Sequence, residues 1–179
     1  MQEIEAKILE IDTDAIQAKL GDLGAAFEFE QEFFAIYYDD AVGRLGAAQQ
    51  VLRIRKEGDD VRLTMKSPSE LSQAGIRSRE ELELSIGDFE MMRTILGKLG
   101  YNEYLKMRKI RRQYALGDAH VVIDTHIDDL AFIPPYMEIE APSHDRLLEV
   151  SDALGFERRQ LLDWNAARVM DYYRERVGK

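Results

Sequence analysis

The sequence contains no cysteine, which excludes disulfides and thiolate metal sites, and its three histidines are too few for an imidazole-built zinc centre. Any metal is therefore expected to be a hard cation held by carboxylates. No run of about 18 apolar residues is present, and the chain opens directly on a charged strand, so neither a membrane span nor a signal peptide is expected. A cytoplasmic protein without a membrane partner follows as the expectation. Basic residues are also few, 24 against 34 acidic ones, and the resulting net charge of −10 argues against a nucleic-acid partner.

What is present is a composition of 45% hydrophobic and 32% charged residues over 179 positions, which predicts one domain spanning residues 1–179 with a real core. The few basic residues are clustered on strand-like segments. An acidic protein with local cationic strands suits a small polyanion bound in an enclosed place.

The first such segment sets the pattern. Glu3, Glu5 and Lys7 alternate with Ile4, Ala6 and Ile8, so as a strand the segment puts its charges on one face and its aliphatics on the other. Glu81-Leu82-Glu83 and Glu138-Ile139-Glu140 repeat the acid–aliphatic–acid pattern, and each of the three is followed by an amphipathic helical segment closing on Leu23-Gly24, Leu99-Gly100 or Leu154-Gly155. This is a weak internal repeat of strand-then-helix units.

Along the chain, Asp12 or Thr13 is expected to cap a helix carrying Ile16, Leu20 and Leu23. An aromatic-rich strand from Phe27 to Asp39 and a loop from Asp39 to Ala48 follow. Leu52-Arg53-Ile54-Arg55 and Val61 to Lys66 flank the turn Glu57-Gly58-Asp59-Asp60 as a hairpin, each strand with one aliphatic and one polar or cationic face. After a polar loop, Ser67 to Ala74, a strand carries Arg77, Arg79, Glu81 and Glu83 on a single face. Asp88 then caps a helix whose buried stripe is read as Phe89, Met92, Ile95, Leu96 and Leu99. Lys109 and Arg111 share a strand face for which Arg108 and Arg112 compete. Val121 to Asp124 and Tyr136 to Glu140 are the last strands, and Ser143 to Val177 reads as two helices packing over the outside of the sheet, the second bearing Leu161, Leu162, Trp164, Val169, Met170 and Tyr173.

Seven or eight strands with interspersed helices make an α+β fold. Like charges packed side by side on consecutive strands are destabilising without a counter-charge. A sheet closed into a barrel, with the helices outside, turns this charged face into a lumen lining. The expected lumen acids are Glu3, Glu5, Glu81, Glu83, Asp124, Glu138 and Glu140; the bases are Lys7, Arg53, Arg55, Arg62, Lys66, Arg77, Arg79, Lys109 and Arg111. Arginine forks and lysine ammonium groups match phosphate oxygens, and grouped carboxylates hold Mg²⁺ or Mn²⁺. A tri- or tetra-anionic ligand is the natural occupant.

The ordered set Glu3-x-Glu5-x-Lys7, Arg53-x-Arg55, Lys66, Arg79-x-Glu81-x-Glu83, Lys109-x-Arg111, Asp124 and Glu138-x-Glu140 resembles the CYTH domain, the triphosphate tunnel metalloenzyme superfamily, over nearly the whole chain. The resemblance implies a closed eight-stranded antiparallel β-barrel whose tunnel binds triphosphate, as a monomer or homodimer. By position it implies that Lys7, Arg53, Arg55, Lys66, Lys109 and Arg111, joined by Arg79, bind phosphates. It implies Asp124, Glu138 and Glu140 as ligands of the principal Mg²⁺ or Mn²⁺. Glu3 and Glu5 then hold a second metal or orient water, with Lys7 beside them in the catalytic set, and Glu81 and Glu83 complete the acidic side. One departure is that the C-terminal helical region offers Arg158, Arg159, Arg168 and Arg174 but no lysine before Lys179, where some members use a lysine.

Within that resemblance the first functional expectation is a metal-dependent triphosphatase acting on inorganic triphosphate, thiamine triphosphate or a nucleoside triphosphate. The alternative is a class IV adenylyl cyclase making cyclic AMP and pyrophosphate from ATP, and a third possibility is a non-catalytic nucleotide or polyphosphate binding module. Phe33, Phe34, Tyr37 and Tyr38 could stack on a base or simply pack in the barrel wall.

Overall fold

Strict period-2 alternation means that a one-residue slip would exchange a strand's two faces, so the pairing of these strands is tightly specified. The computed structural model describes residues 2–68 and 76–178, and for Gln2, Glu3 and Arg77 the backbone alone. The order of elements is β1 Gln2–Ile8, α1 Thr13–Asp22, β2 Ala26–Asp40, α2 Arg44–Ala47, β3 Val51–Glu57, β4 Asp60–Lys66, β5 Arg77–Ser85, α3 Phe89–Lys98, β6 Tyr101–Leu116, β7 Ala119–His126, β8 Tyr136–Ala141, α4 His144–Leu154 and α5 Ala166–Val177. The strands form a closed barrel in the order β1-β5-β4-β3-β2-β6-β7-β8, and every neighbouring pair is antiparallel. The fold is thus α+β with a closed eight-stranded barrel.

Local sequence explains the helices that punctuate it. Asp12 caps α1 by accepting from the backbone N–H groups of Asp14 and Ala15, and Asp88 and Ser143 do the same for α3 and α4; each such cap is worth about 1 kcal/mol. Gly24, Gly100 and Gly155, which follow these helices, have φ of 74°, 92° and 86°, a left-handed turn that glycine takes without strain. The three strand-then-helix units read from the sequence are therefore β1–α1, β5–α3 and β8–α4.

The aliphatic faces point outward. Helices α1 and α4 cover β1, β7 and β8 through Leu20, Leu147 and Val150 against Ile8, Val121, Ile123, Met137 and Ile139. Helix α3 covers β2, β3 and β4 through Leu96 against Ile36, Tyr38, Leu52, Ile54 and Val61. Strand β5 falls between these two covers, so Leu82, expected to meet a helix, stands 59% exposed and Leu84 62%. For the same reason the buried stripe of α3 is narrower than its sequence suggests: Leu96 is buried, whereas Ile95 and Leu99 are exposed.

The C-terminal region departs most from expectation. Leu161, Leu162 and Trp164 precede the last helix rather than lying on it, and the Lys7 backbone pairs with Leu162. Helix α5 does not pack over the outer sheet. Its Val169, Met170 and Tyr173 bury against Ala35, Tyr37, Leu105, Met107 and Tyr136, which carry the lumen parity of β2, β6 and β8. Because one end of the lumen is lined by apolar and aromatic side chains, it needs an apolar cover, and α5 supplies it. The segment 39–48, read as a loop, contains the short helix α2, nucleated by the Asp39 carboxylate accepting from the N–H groups of Leu45 and Gly46. Most of the expected 67–74 loop lies outside the described residues.

Candidate active site

Register and parity together decide which side chains meet inside the barrel. Lys7 lies opposite Glu138 and Glu5 opposite Glu140, Arg53 opposite Thr64 and Tyr37, Lys66 opposite Glu81, and Arg111 opposite Asp124. All of these except Thr64 and Asp124 line a cavity of about 1300 Å³, together with Arg55, Arg62, Arg79, Glu83 and Lys109. The side chains of Glu3 and Arg77, assigned to the lumen from sequence, lie outside the described residues; their backbones sit opposite Arg79 and Glu5. The competition on β6 is resolved in favour of Lys109 and Arg111: Arg108 turns outward to Glu32 and Asp128, and Arg112 to Glu30.

The acids sort into three groups. Glu5, Glu138 and Glu140 each offer an oxygen, and these oxygens all lie within 4.8 Å of one another. Asp124, fully buried, instead accepts from Arg111 at 2.8 and 2.7 Å and pairs with Lys109. Glu81 and Glu83 face the opposite wall: Glu81 lies 2.7 Å from Lys66 and 3.7 Å from Arg53, and Glu83 pairs with Arg62 at 2.6 Å and Arg55 at 3.3 Å while accepting from Thr64. The seven-carboxylate set expected from sequence is thus divided among the described side chains into a trio and two pairing groups.

Electrostatics follow from this sorting. Burial alone would raise the pKa of Asp124, but Arg111 and Lys109 outweigh it and hold the carboxyl well below the usual range. Glu138 is likewise held low against its own burial, by Lys7, Arg111 and Lys109. Burial and the neighbouring Arg111 bring Lys109 below its ordinary value, and burial with the adjacent Arg53 lowers Arg55. Glu5 has Lys7 and Arg79 each at 3.7 Å, longer than the contacts that fix Asp124.

Parity also reveals residues that the reading of charges passed over. Phe33 and Tyr37 face the lumen, while Phe34 and Tyr38 belong to the outer core under α3. The Phe33 ring lies 5.1 Å from the Arg111 guanidinium carbon and 5.6 Å from that of Arg55, holding both forks against an apolar face. His126, 4% exposed, packs its ring on Tyr136, and burial pushes its pKa down to about 4. The period-2 count from Arg111 through β2 would have placed Phe33 and Tyr37 here.

A wall of paired cations facing a compact carboxylate trio can hold a polyanion and a hard metal side by side. Comparison with known proteins fits this geometry. The family profile described as “CYTH domain” matches residues 1–164. A Methanocaldococcus jannaschii protein named “Putative adenylate cyclase” is 29% identical over 174 residues, covering 90% of this chain and 94% of its own. Among solved structures, the PH1012 protein of Pyrococcus horikoshii superposes with a TM-score of 0.78 at 20% identity, over 93% of this chain and 98% of its own. A Hippeastrum protein described as a “putative adenylyl cyclase” with a dominant triphosphatase activity superposes with a TM-score of 0.67 at 20% identity, over 99% and 96%.

Proposed function

The chain belongs to the CYTH domain family, and from that membership we propose that it is a divalent-metal-dependent enzyme that cleaves a phosphoanhydride bond in a triphosphate substrate held in the barrel. The observation that carries this reading is the trio Glu5, Glu138 and Glu140, with oxygens within 4.8 Å, set beside Lys7, Arg79 and Arg111. Oxygen donors of this kind fit Mg²⁺ or Mn²⁺. A divalent ion bound there would neutralise phosphate oxygens and polarise the phosphorus they surround.

The protein's own groups supply the remainder. Arg53, Arg55, Lys66, Lys109 and Arg111 bind phosphate oxygens in a low-dielectric enclosure, where each contact gains over its value in water. Asp124 and Glu81 hold the lysines and arginines in place before substrate arrives, so less reorganisation is left to the reaction. Glu5 is positioned to orient a water molecule against the chain, with Lys7 beside it at 3.7 Å. The side chain of Glu3 is proposed for the same role on the strength of its place in the motif.

Hydrolysis by water is the first reading, supported by the carboxylates available to orient it and by the activity described for the Hippeastrum protein. Adenylyl cyclase is the second, favoured by the name of the Methanocaldococcus relative. Incubation with inorganic triphosphate, thiamine triphosphate and ATP in Mg²⁺ or Mn²⁺ separates them: phosphate release is the expected outcome, cyclic AMP with pyrophosphate establishes the second reading, and no turnover overturns both in favour of a binding module.

A further inference from the structure

The helical cover of the barrel is interrupted over β5, and the interruption is apolar. Among the described residues ten large hydrophobic side chains are exposed, and five of them, Leu82 and Leu84 of β5 and Met91, Ile95 and Leu99 in and just after α3, border this interruption. Met65 and Leu63 of β4, the register partners of Leu82 and Leu84, pack against the cluster that holds Leu96, so the surface runs on from helix to strand. Positions 91, 95 and 99 recur every fourth residue and share one flank of the helix. The other flank is fixed by Arg93, which reaches Glu103 of β6; Met91, Ile95 and Leu99 therefore look toward β4 and β5. A contiguous exposed apolar surface of this kind marks an interaction site.

The charges at its border select the partner. Asp88 opens α3 and Lys98 closes it, with about 15 Å of helix between them. Two copies of α3 laid antiparallel about a two-fold axis can put Met91 of each copy opposite Ile95 of the other. The same register puts Asp88 of each copy opposite Lys98 of the other, so one surface matches itself in apolar contact and in charge together. We propose that this face is where two copies of the chain associate, α3 of each filling the uncovered strip over β5 of the other. Five apolar and two charged side chains are few beside the roughly 20–30 residues per side of a standard interface. The association is accordingly weak, with a Kd on the order of 100 µM. At about 1 µM the chain is then a single copy with Leu82 and Leu84 in water. The proposal stands apart from the triphosphate reading and does not depend on it.

Sedimentation of the wild type from about 1 µM to about 1 mM should show the mass rising from one chain toward two across that Kd. Ile95→Glu lies at an exposed position, should melt with the wild type, and should remain a single chain throughout. Lys98→Glu sets acid against acid at both ends of the paired helices and should raise the Kd about fivefold or more, an effect that added salt reduces. Because the chain has no cysteine, the register can be read by cross-linking. A mixture of Met91→Cys and Ile95→Cys should form a mixed disulfide dimer under mild oxidation faster than either variant alone forms its own. A single-chain mass for the wild type at every concentration would overturn the proposal, leaving the face to a different protein or to none. Association that survives Ile95→Glu, a Kd unmoved by Lys98→Glu, or equal cross-linking rates for the mixture and the single variants would overturn it as well.

Discussion

Asp124 shows what a single buried charge does in this lumen. It is fully buried and holds Arg111 by two hydrogen bonds while pairing with Lys109. Asp124→Asn keeps the shape and leaves two buried cations short of a counter-charge, so it should cost about 3 kcal/mol in urea denaturation, although added triphosphate should recover part of the loss. A loss below about 0.5 kcal/mol, the range of ordinary surface changes, would show that Asp124 does not carry the pair. His126 titrates in a different window. Its folded pKa of about 4 lies below the ordinary 6.5, so the fold binds the neutral ring and the unfolded chain binds more protons between those values. Stability from this residue is fully present above about pH 6.5 and is lost as pH falls toward 4, by about 3 kcal/mol in total. Melts in EDTA at stepped pH should show that slope in the wild type and a flatter one in His126→Gln. At this scale the sequence was legible wherever charge alternated with aliphatics, as in β1, β3 and β8. It was ambiguous at Arg108 to Arg112, where basic residues occupy both faces and only pairing with β2 and β7 decides.

At the scale of elements, covering rather than propensity sets which apolar residues matter. Leu82 and Leu84 lie on the outward face of β5 between the two helical covers, so Leu82→Ser should change stability by no more than about 0.5 kcal/mol, as exposed sites do. Leu96→Ala, on the buried side of α3, should cost about 2–5 kcal/mol. Chemical denaturation of both variants compares them directly; similar losses would mean that β5 is covered after all. The strand-then-helix units were readable because each carries its own cap and terminal Leu-Gly. The placement of α5 was not, since an amphipathic helix reports that it has an apolar face and not which surface receives it. Only closure of the barrel creates the aromatic-lined end that Val169, Met170 and Tyr173 bury.

For the whole molecule, a divalent cation held by the trio as proposed would be linked to folding, each stabilising the other. Mg²⁺ or Mn²⁺ should raise the melting temperature of the wild type, and much less so in Glu138→Gln or Glu140→Gln, which should also lose activity while remaining folded. Full activity in EDTA, or equal metal stabilisation of the Gln variants, would remove the metal from the trio.

Barrel closure has a temporal consequence. Strand β1 is the first to be made, yet its neighbours are β5 and β8, and the Lys7–Glu138 contact joins residues 131 positions apart. A chain emerging from the ribosome can bring Arg79 to Glu5 once β5 has been made, but Lys7 meets Glu138 only after β8 has been synthesised. Seam formation between β1 and β8 must wait for the most distant pairing in the sheet, a topology associated with slow folding on the millisecond-to-second scale. Nascent intermediates therefore leave the β8-facing edge of β1 unpaired, and binding capacity should appear as the last event of folding rather than accumulating gradually with structure.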